Sequence, residues 1–99
     1  MNQFFDDLGR RLAEAASREG AAIEPPSLDG DVARELLELA RVAAHTQERR
    51  FAPLSTYLAG IAAERVRDAS GPVDPARLAR MIRDVREGLE KEAEARSET

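Results

Sequence analysis

The residues with the most chemical potential lie in one run, His45-Thr46-Gln47-Glu48-Arg49-Arg50-Phe51-Ala52-Pro53-Leu54-Ser55-Thr56. A histidine, two arginines and two hydroxyls surround a proline that can open a helix, and a helix N-terminus offers unpaired N–H groups and a partial positive charge. His45 lies four residues before Arg49, one helical turn away if the preceding helix continues. The run therefore predicts an anion site for a phosphate or carboxylate, built from His45, Arg49, Arg50, Ser55 and Thr56. A plainer reading stands beside it. Basic residues near a helix end meet its negative pole, and Ser55 and Thr56 suit the first turn of the next helix.

Other chemistries lack their residues. The 99-residue chain has one His and no Cys, so a usual zinc set, a thiolate nucleophile and disulfides are excluded. Asp29-Gly30-Asp31 is a turn with a cap rather than a calcium loop, because the remaining ligands are missing. No glycine-rich phosphate loop occurs, and nothing fixes His45 against Ser55 or Thr56 as a nucleophile–base pair. The expectation is a non-enzymatic chain with no cofactor and no metal.

The charge is −4, which has the wrong sign for nucleic acid. It is unevenly spread. Residues 1–31 carry seven acids and three bases, residues 32–86 seven acids and ten bases, and residues 87–99 five acids and two bases. The middle is thus +3 between ends of −4 and −3, which suits an acidic protein partner better than an RNA. Arg77, Arg80, Arg83 and Arg86 recur every three residues and drift around a helix, so they read as a solvated face. Apolar runs are short and interrupted by charge, and the first residues make no signal sequence. The expectation is a cytoplasmic protein with no membrane association.

Four helical segments position these residues. The first covers about 3–19, with Phe4, Phe5, Leu8, Leu12, Ala15 and Ala16 on one arc and Gly20 as its stop. A connection from Gly20 to Gly30 contains Pro25-Pro26 and cannot be helical. The second segment, about 30–48, is capped by Asp29 or Asp31 and has a wide apolar arc that makes it central. Arg34, Glu35, Glu38, Arg41, His45 and Arg49 form its polar strip.

The third segment begins at Pro53 and buries Leu54, Tyr57, Leu58, Ile61, Ala62 and Ala69, ending at Ser70-Gly71-Pro72. Its second face, Thr56, Gly60 and Ala63, is small and permits close approach by another helix or by a second copy in a homodimer. The fourth begins at Asp74-Pro75 with a seam of Leu78, Met81, Ile82, Val85 and Leu89, outside which lie Arg77, Arg80, Arg83, Asp84 and Glu87. From Glu90 onward only Ala93 and Ala95 are apolar, which predicts fraying. The fold class expected is all-α, a small antiparallel four-helix bundle over residues 1–90 with a charged C-terminal tail at 91–99.

The stretch Leu39-Ala40-Arg41-Val42-Ala43-Ala44-His45, then Arg50 and Ala52-Pro53-Leu54-Ser55-Thr56-Tyr57-Leu58-Ala59-Gly60, resembles a small bacterial helical domain of unknown function. That domain occurs alone or on the C-terminal side of molybdopterin-guanine dinucleotide biosynthesis proteins, the guanylyltransferases of molybdenum cofactor maturation. The resemblance lies mainly in residues 32–62. It implies a genomic and physical connection to molybdenum cofactor nucleotide transfer, with the guanylyltransferase as protein partner, and it does not imply catalysis, since the enzyme's nucleotide loop and metal-binding acids have no counterpart here. His45, Arg50 and Pro53 match the family pattern without an assigned role.

Overall fold

A computed structural model describes residues 2–97. The described residues are all-α, with four helices and no strand: α1 Gln3–Arg18, α2 Gly30–Thr46, α3 Phe51–Ser70 and α4 Pro75–Ser97. The expected class and helix count are observed. The chain divides into two units, residues 1–30 and residues 31–99.

In the first unit, α1 is closed at both ends by its own sequence. The Asn2 side chain accepts a hydrogen bond from the Phe4 N–H at 2.8 Å. At the other end Gly20 takes a positive φ of 91°. Its N–H donates to the Ser17 carbonyl, and the Ala21 N–H donates to the Ala16 carbonyl. This pair of reversed bonds is the Schellman closure, and only glycine enters that backbone region without a Cβ penalty. The connection then folds back, so that the Pro26 carbonyl lies against the Cα of Gly9 and occupies the space a Cβ would need. Gly9 is the one buried residue of α1. Its role is close approach to the Pro25-Pro26 strap, a role the sequence pattern did not mark.

In the second unit, turns of four residues join α2 to α3 (47–50) and α3 to α4 (71–74). Short turns make sequence neighbours antiparallel. The contacts between α2 and α4 agree: Glu35 meets Arg83 and Arg86, and Arg41, further along α2, meets Glu90, further along α4. The two helices therefore run in the same direction, with α3 reversed. The core is Leu39, Val42 and Ala43 of α2, Ala63 of α3, and Leu78, Ala79 and Ile82 of α4. As expected, α4 starts at a capped proline, with the Asp74 carboxylate accepting from the Ala76 N–H at 3.0 Å; the wide apolar arc of α2 is only partly used, since Leu37 is 72% exposed.

Three boundaries differ from the sequence expectation. Helix α2 stops at Thr46 rather than about 48, where the Thr46 hydroxyl donates back to the Val42 carbonyl. Helix α3 begins at Phe51, which places Pro53 third in the helix; the missing N–H is still harmless there, because first-turn donors have no intrahelical partner. Helix α4 continues to Ser97 instead of fraying after Glu90. Glu90 is held by Arg86 and Arg41, and the remaining residues are good helix formers.

The orientation of α3 is the largest correction. Leu54, Tyr57 and Leu58, expected in the core, are 60%, 70% and 66% exposed, whereas Ala63 of the small face is 7% exposed and Thr56 is half-buried. The helix turns Ala63 inward and Leu54, Tyr57 and Leu58 outward.

The Gly9 contact leads to a local prediction. Gly9→Ala should destabilise the strap against α1 by about 1–3 kcal/mol, as expected for a side chain forced into filled space. Amide hydrogen exchange should accelerate over residues 3–28 while the α2 and α4 amides keep their protection. Unchanged exchange in α1 would refute the close-approach role.

Candidate functional site

Helix periodicity places Glu35 within the buried face of α2, four residues before Leu39 and seven before Val42. The structure leaves it 5% exposed. A carboxylate taken out of water needs charged or polar partners, and here α4 supplies them. Arg83 Nε donates to one Glu35 oxygen at 3.0 Å, and Arg86 Nη2 donates to the other at 3.1 Å. Arg86 also donates to Glu90 at 2.9 Å, and Glu90 meets Arg41, which returns to Glu38 on α2. The result is a ladder of six alternating charges between α2 and α4.

Burial by itself raises the Glu35 pKa. The hydrogen bonds and positive charges of Arg83 and Arg86 outweigh that effect and hold the carboxyl below its ordinary value. Glu90 is also lowered, chiefly by its hydrogen bond from Arg86. Arg86 Nε is buried and finds no acceptor, a cost the two Nη contacts must offset. Both carboxylate oxygens of Glu35 are engaged by guanidinium groups, so this buried pair positions helices and presents no proton to a substrate.

The ladder corrects two sequence expectations. Glu35 belongs to the core rather than to the polar strip of α2, and Arg86, with Arg83 at its edge, is not part of a solvated face. Arg77 and Arg80 are exposed as expected. The signal was present: relative to Ile82, position 86 falls 40° around the wheel, between the directions of Leu89 and Ala79.

The residues predicted for an anion site occupy three separate surroundings. His45, at the end of α2, lines a shallow pocket of about 310 Å³ with Thr46, Ala93, Arg96 and Ser97. Arg49 and Arg50 are in the turn, and Arg50 Nε pairs with Glu48 at 3.1 Å. Since α2 ends at Thr46, no helical register joins His45 to Arg49. Ser55 lines an apolar groove, and the Thr56 hydroxyl donates to the Pro53 carbonyl at 2.9 Å.

The opening of α3 is also occupied. The Phe51 N–H donates to the Glu48 carbonyl at 3.0 Å, the Ala52 N–H donates to the Arg49 carbonyl at 3.2 Å, and Pro53 has no N–H to offer. Of the interface residues Thr56, Gly60 and Ala63, the last is used inside the unit, and Gly60 is exposed with open space at its Cα. Among the described residues no cluster of three metal-ligating side chains occurs, and no helix is long and apolar enough to cross a membrane.

The cavity that Ser55 lines is apolar. A groove of about 340 Å³ runs between α3 and α4, walled by Leu58, Ala59 and Ala62 on one side and by Met81, Val85 and Leu89 on the other. It is an open trough with almost no polar lining, suited to hydrocarbon side chains and not to a charged small molecule.

All-α architecture, a buried charge ladder and exposed apolar surfaces define a small helical domain. The chain matches, over residues 1–97, the family described as a domain of unknown function (DUF6457), and it belongs to that family. The match extends well beyond the 32–62 stretch that carries the resemblance. No curated protein and no solved structure matches the chain.

Removing the Glu35 charge should expose the ladder's contribution. Glu35→Gln is expected to cost about 2–3 kcal/mol, toward the low side of buried pairs because Arg83 is half exposed and can return to water. The pH dependence has a fixed sign. The folded pKa of Glu35 lies below its unfolded value of about 4.3, so its stabilisation is full above that value and is lost as pH falls through the folded pKa. Urea titrations between pH 7 and pH 3 should show the wild type losing this increment on acidification, with the gap to Glu35→Gln narrowing. A constant gap would refute the assignment.

Proposed function

We propose that this chain is a non-enzymatic docking domain that binds a partner protein through α1, and that the partner is the guanylyltransferase of molybdenum cofactor maturation. The observation that carries the docking role is the apolar stripe of α1. Phe4 is 63% exposed, and Phe5, Leu8 and Leu12 are also exposed, on a helix already capped at both ends and braced by the strap at Gly9. Phe4 and Phe5 pack edge to face with ring centroids 5.1 Å apart, which makes them a single broad anchor.

A helix that presents side chains at positions 4, 8 and 12 fits the recognition mode in which an amphipathic helix lies in an apolar groove of its partner. Because the helix is formed in advance, less ordering entropy opposes binding. Two features support the absence of catalysis: the buried carboxylate is engaged by arginines, and the first N–H groups of α3 are donated to the preceding turn. The choice of partner rests on the resemblance in residues 39–60 to domains that accompany the guanylyltransferase. Cytoplasmic location follows from that partner and is part of the proposal.

Titration of the full chain into the purified guanylyltransferase in a calorimeter tests the reading. Saturable heat is expected for the wild type, with at least a tenfold loss of affinity for Leu8→Arg and no change for Leu58→Arg. Absence of heat at high micromolar concentration would overturn the partner. Equal binding by Leu8→Arg would overturn the role of α1.

A further inference from the structure

The apolar stripe of α1 has two unlike edges. One edge carries Gly9, a turn on from Phe5, and is closed by the Pro26 carbonyl. Phe5 on that side is 38% exposed, whereas Phe4 on the other is 63% exposed. The second edge carries charge. Phe4, Arg11 and Arg18 follow at intervals of seven residues, so each lies within about 20° of the last around the wheel. The two arginines stand about 10 Å apart along the axis.

The arginines of α1 are not equivalent. The favoured helical pairing, an acid four residues before its base, would join Asp7 to Arg11 and Glu14 to Arg18. Both acids turn to Arg10 instead, at 3.3 and 3.0 Å. Among the described residues, neither Arg11 nor Arg18 has an ion pair or a side-chain hydrogen bond, and both are exposed. Arg18 still meets the negative pole of α1. Arg11, in the middle of the helix, has no such local use.

We propose that the partner's groove is apolar and carries carboxylates along one rim only, the rim that receives Arg11 and Arg18. This rests on docking through α1 and adds the charge pattern of the partner to it. A one-sided rim also fixes direction, because a helix laid end for end in the groove would turn its arginines to the wrong side. Such rim pairs govern how fast a complex forms more than how long it lasts.

A lipid surface fits this helix less well. It is alike on both sides of a helix lying on it and favours cations on both flanks. Here both unpaired cations share one flank, and the other bears the strap and, further round the wheel, Asp6. Residues 1–31 are also −4 in net charge, which anionic headgroups repel. A protein rim sets carboxylates against the two arginines at contact distance, well inside the screening length of about 10 Å at 0.1 M salt, where the local pairs outweigh the net charge.

Stopped-flow association of the full chain with the purified guanylyltransferase tests the rim. At 50 mM salt, Arg11→Gln and Arg18→Gln should each slow association about threefold and together about tenfold, and the gap to wild type should shrink to under about twofold at 500 mM. Arg11→Lys should keep most of the rate, since it keeps the charge. Arg77→Gln, the same charge change on α4, should leave the rate unaltered, and Leu8→Arg should act on dissociation. Glutamine forms helix nearly as well as arginine, so unchanged circular dichroism is expected for the exposed sites. Should one arginine variant fail to fold, the other still decides the question.

The outcomes separate the two readings. No binding by the wild type overturns docking on this enzyme and the rim with it. Binding that is indifferent to both arginine variants overturns the rim and leaves docking through α1 in place. Equal slowing by Arg77→Gln would make net charge the cause and would also overturn the rim. Sedimentation with vesicles of phosphatidylcholine and phosphatidylserine at 3:1 should leave the chain in solution; cosedimentation that Leu8→Arg abolishes would overturn the choice of a protein groove.

Discussion

The alignment of α2 with α4 depends on Glu35 and its two arginines. These helices run parallel, so their dipoles lie side by side with like ends together, an unfavourable arrangement that antiparallel neighbours avoid. Apolar contacts among Leu39, Val42, Leu78 and Ile82 attract the helices but would tolerate a shift of one against the other. The bidentate clasp does not. A slip of one turn would leave Glu35 buried without a guanidinium, and an unpaired buried carboxylate costs more than any gain from alternative packing. The clasp therefore supplies register more than net stability, since a buried ion pair roughly breaks even against an apolar one. Glu38, Arg41 and Glu90 extend the same specification outward, where solvent makes each step weaker.

Register between α2 and α4 in turn dictates how α3 can fit. Its reversed path must pack against both helices, and Ala63, with Ala59 and Thr56 beside it, lets the backbone come close. Leucines on that face would hold α3 away and open the core. The consequence is geometric: the large residues at 54, 57 and 58 fall on the opposite side of the wheel and emerge into solvent. A ridge and an apolar groove are thus by-products of close packing inside the unit.

Much of the fold was legible because it rests on local rules. Gly20, Gly71 and the Asp74-Pro75 pair mark helix ends through backbone preferences that hold in any context, and each acts as expected. The orientation of α3 was not legible by hydrophobicity, because its large residues and its small residues each make a coherent face. Which face is inside depends on the separation of α2 and α4, and therefore on the charge ladder. The ladder is not legible from residue type, because type alone puts charged residues on the polar side of a helix. Angular position alone would have put Glu35 among Leu39 and Val42, and Arg86 among Ala79 and Leu89. The Gly9 contact has no sequence signature beyond a glycine within a helix, where its cost relative to alanine implies a packing reason.

The corner from His45 to Thr56 shows how one set of residues can satisfy a chemical pattern and a structural one. The sequence required α2 to end and α3 to begin near Pro53, and the backbone does so within four residues. In achieving so tight a reversal, the turn carbonyls of Glu48 and Arg49 accept the N–H groups of Phe51 and Ala52, while Thr56 returns its hydroxyl to Pro53. A helix N-terminus attracts anions only through donors left unpaired. Here proline removes one donor and the turn consumes two more, so the basic side chains of Arg49 and Arg50 stand beside an opening whose own donors are spent. The sequence features that resemble the family pattern, Ala52-Pro53-Leu54 after a basic residue, are accounted for by this economy of the turn. Their steric and hydrogen-bonding demands fix the path of α3, and through it the position of every residue on the exposed ridge.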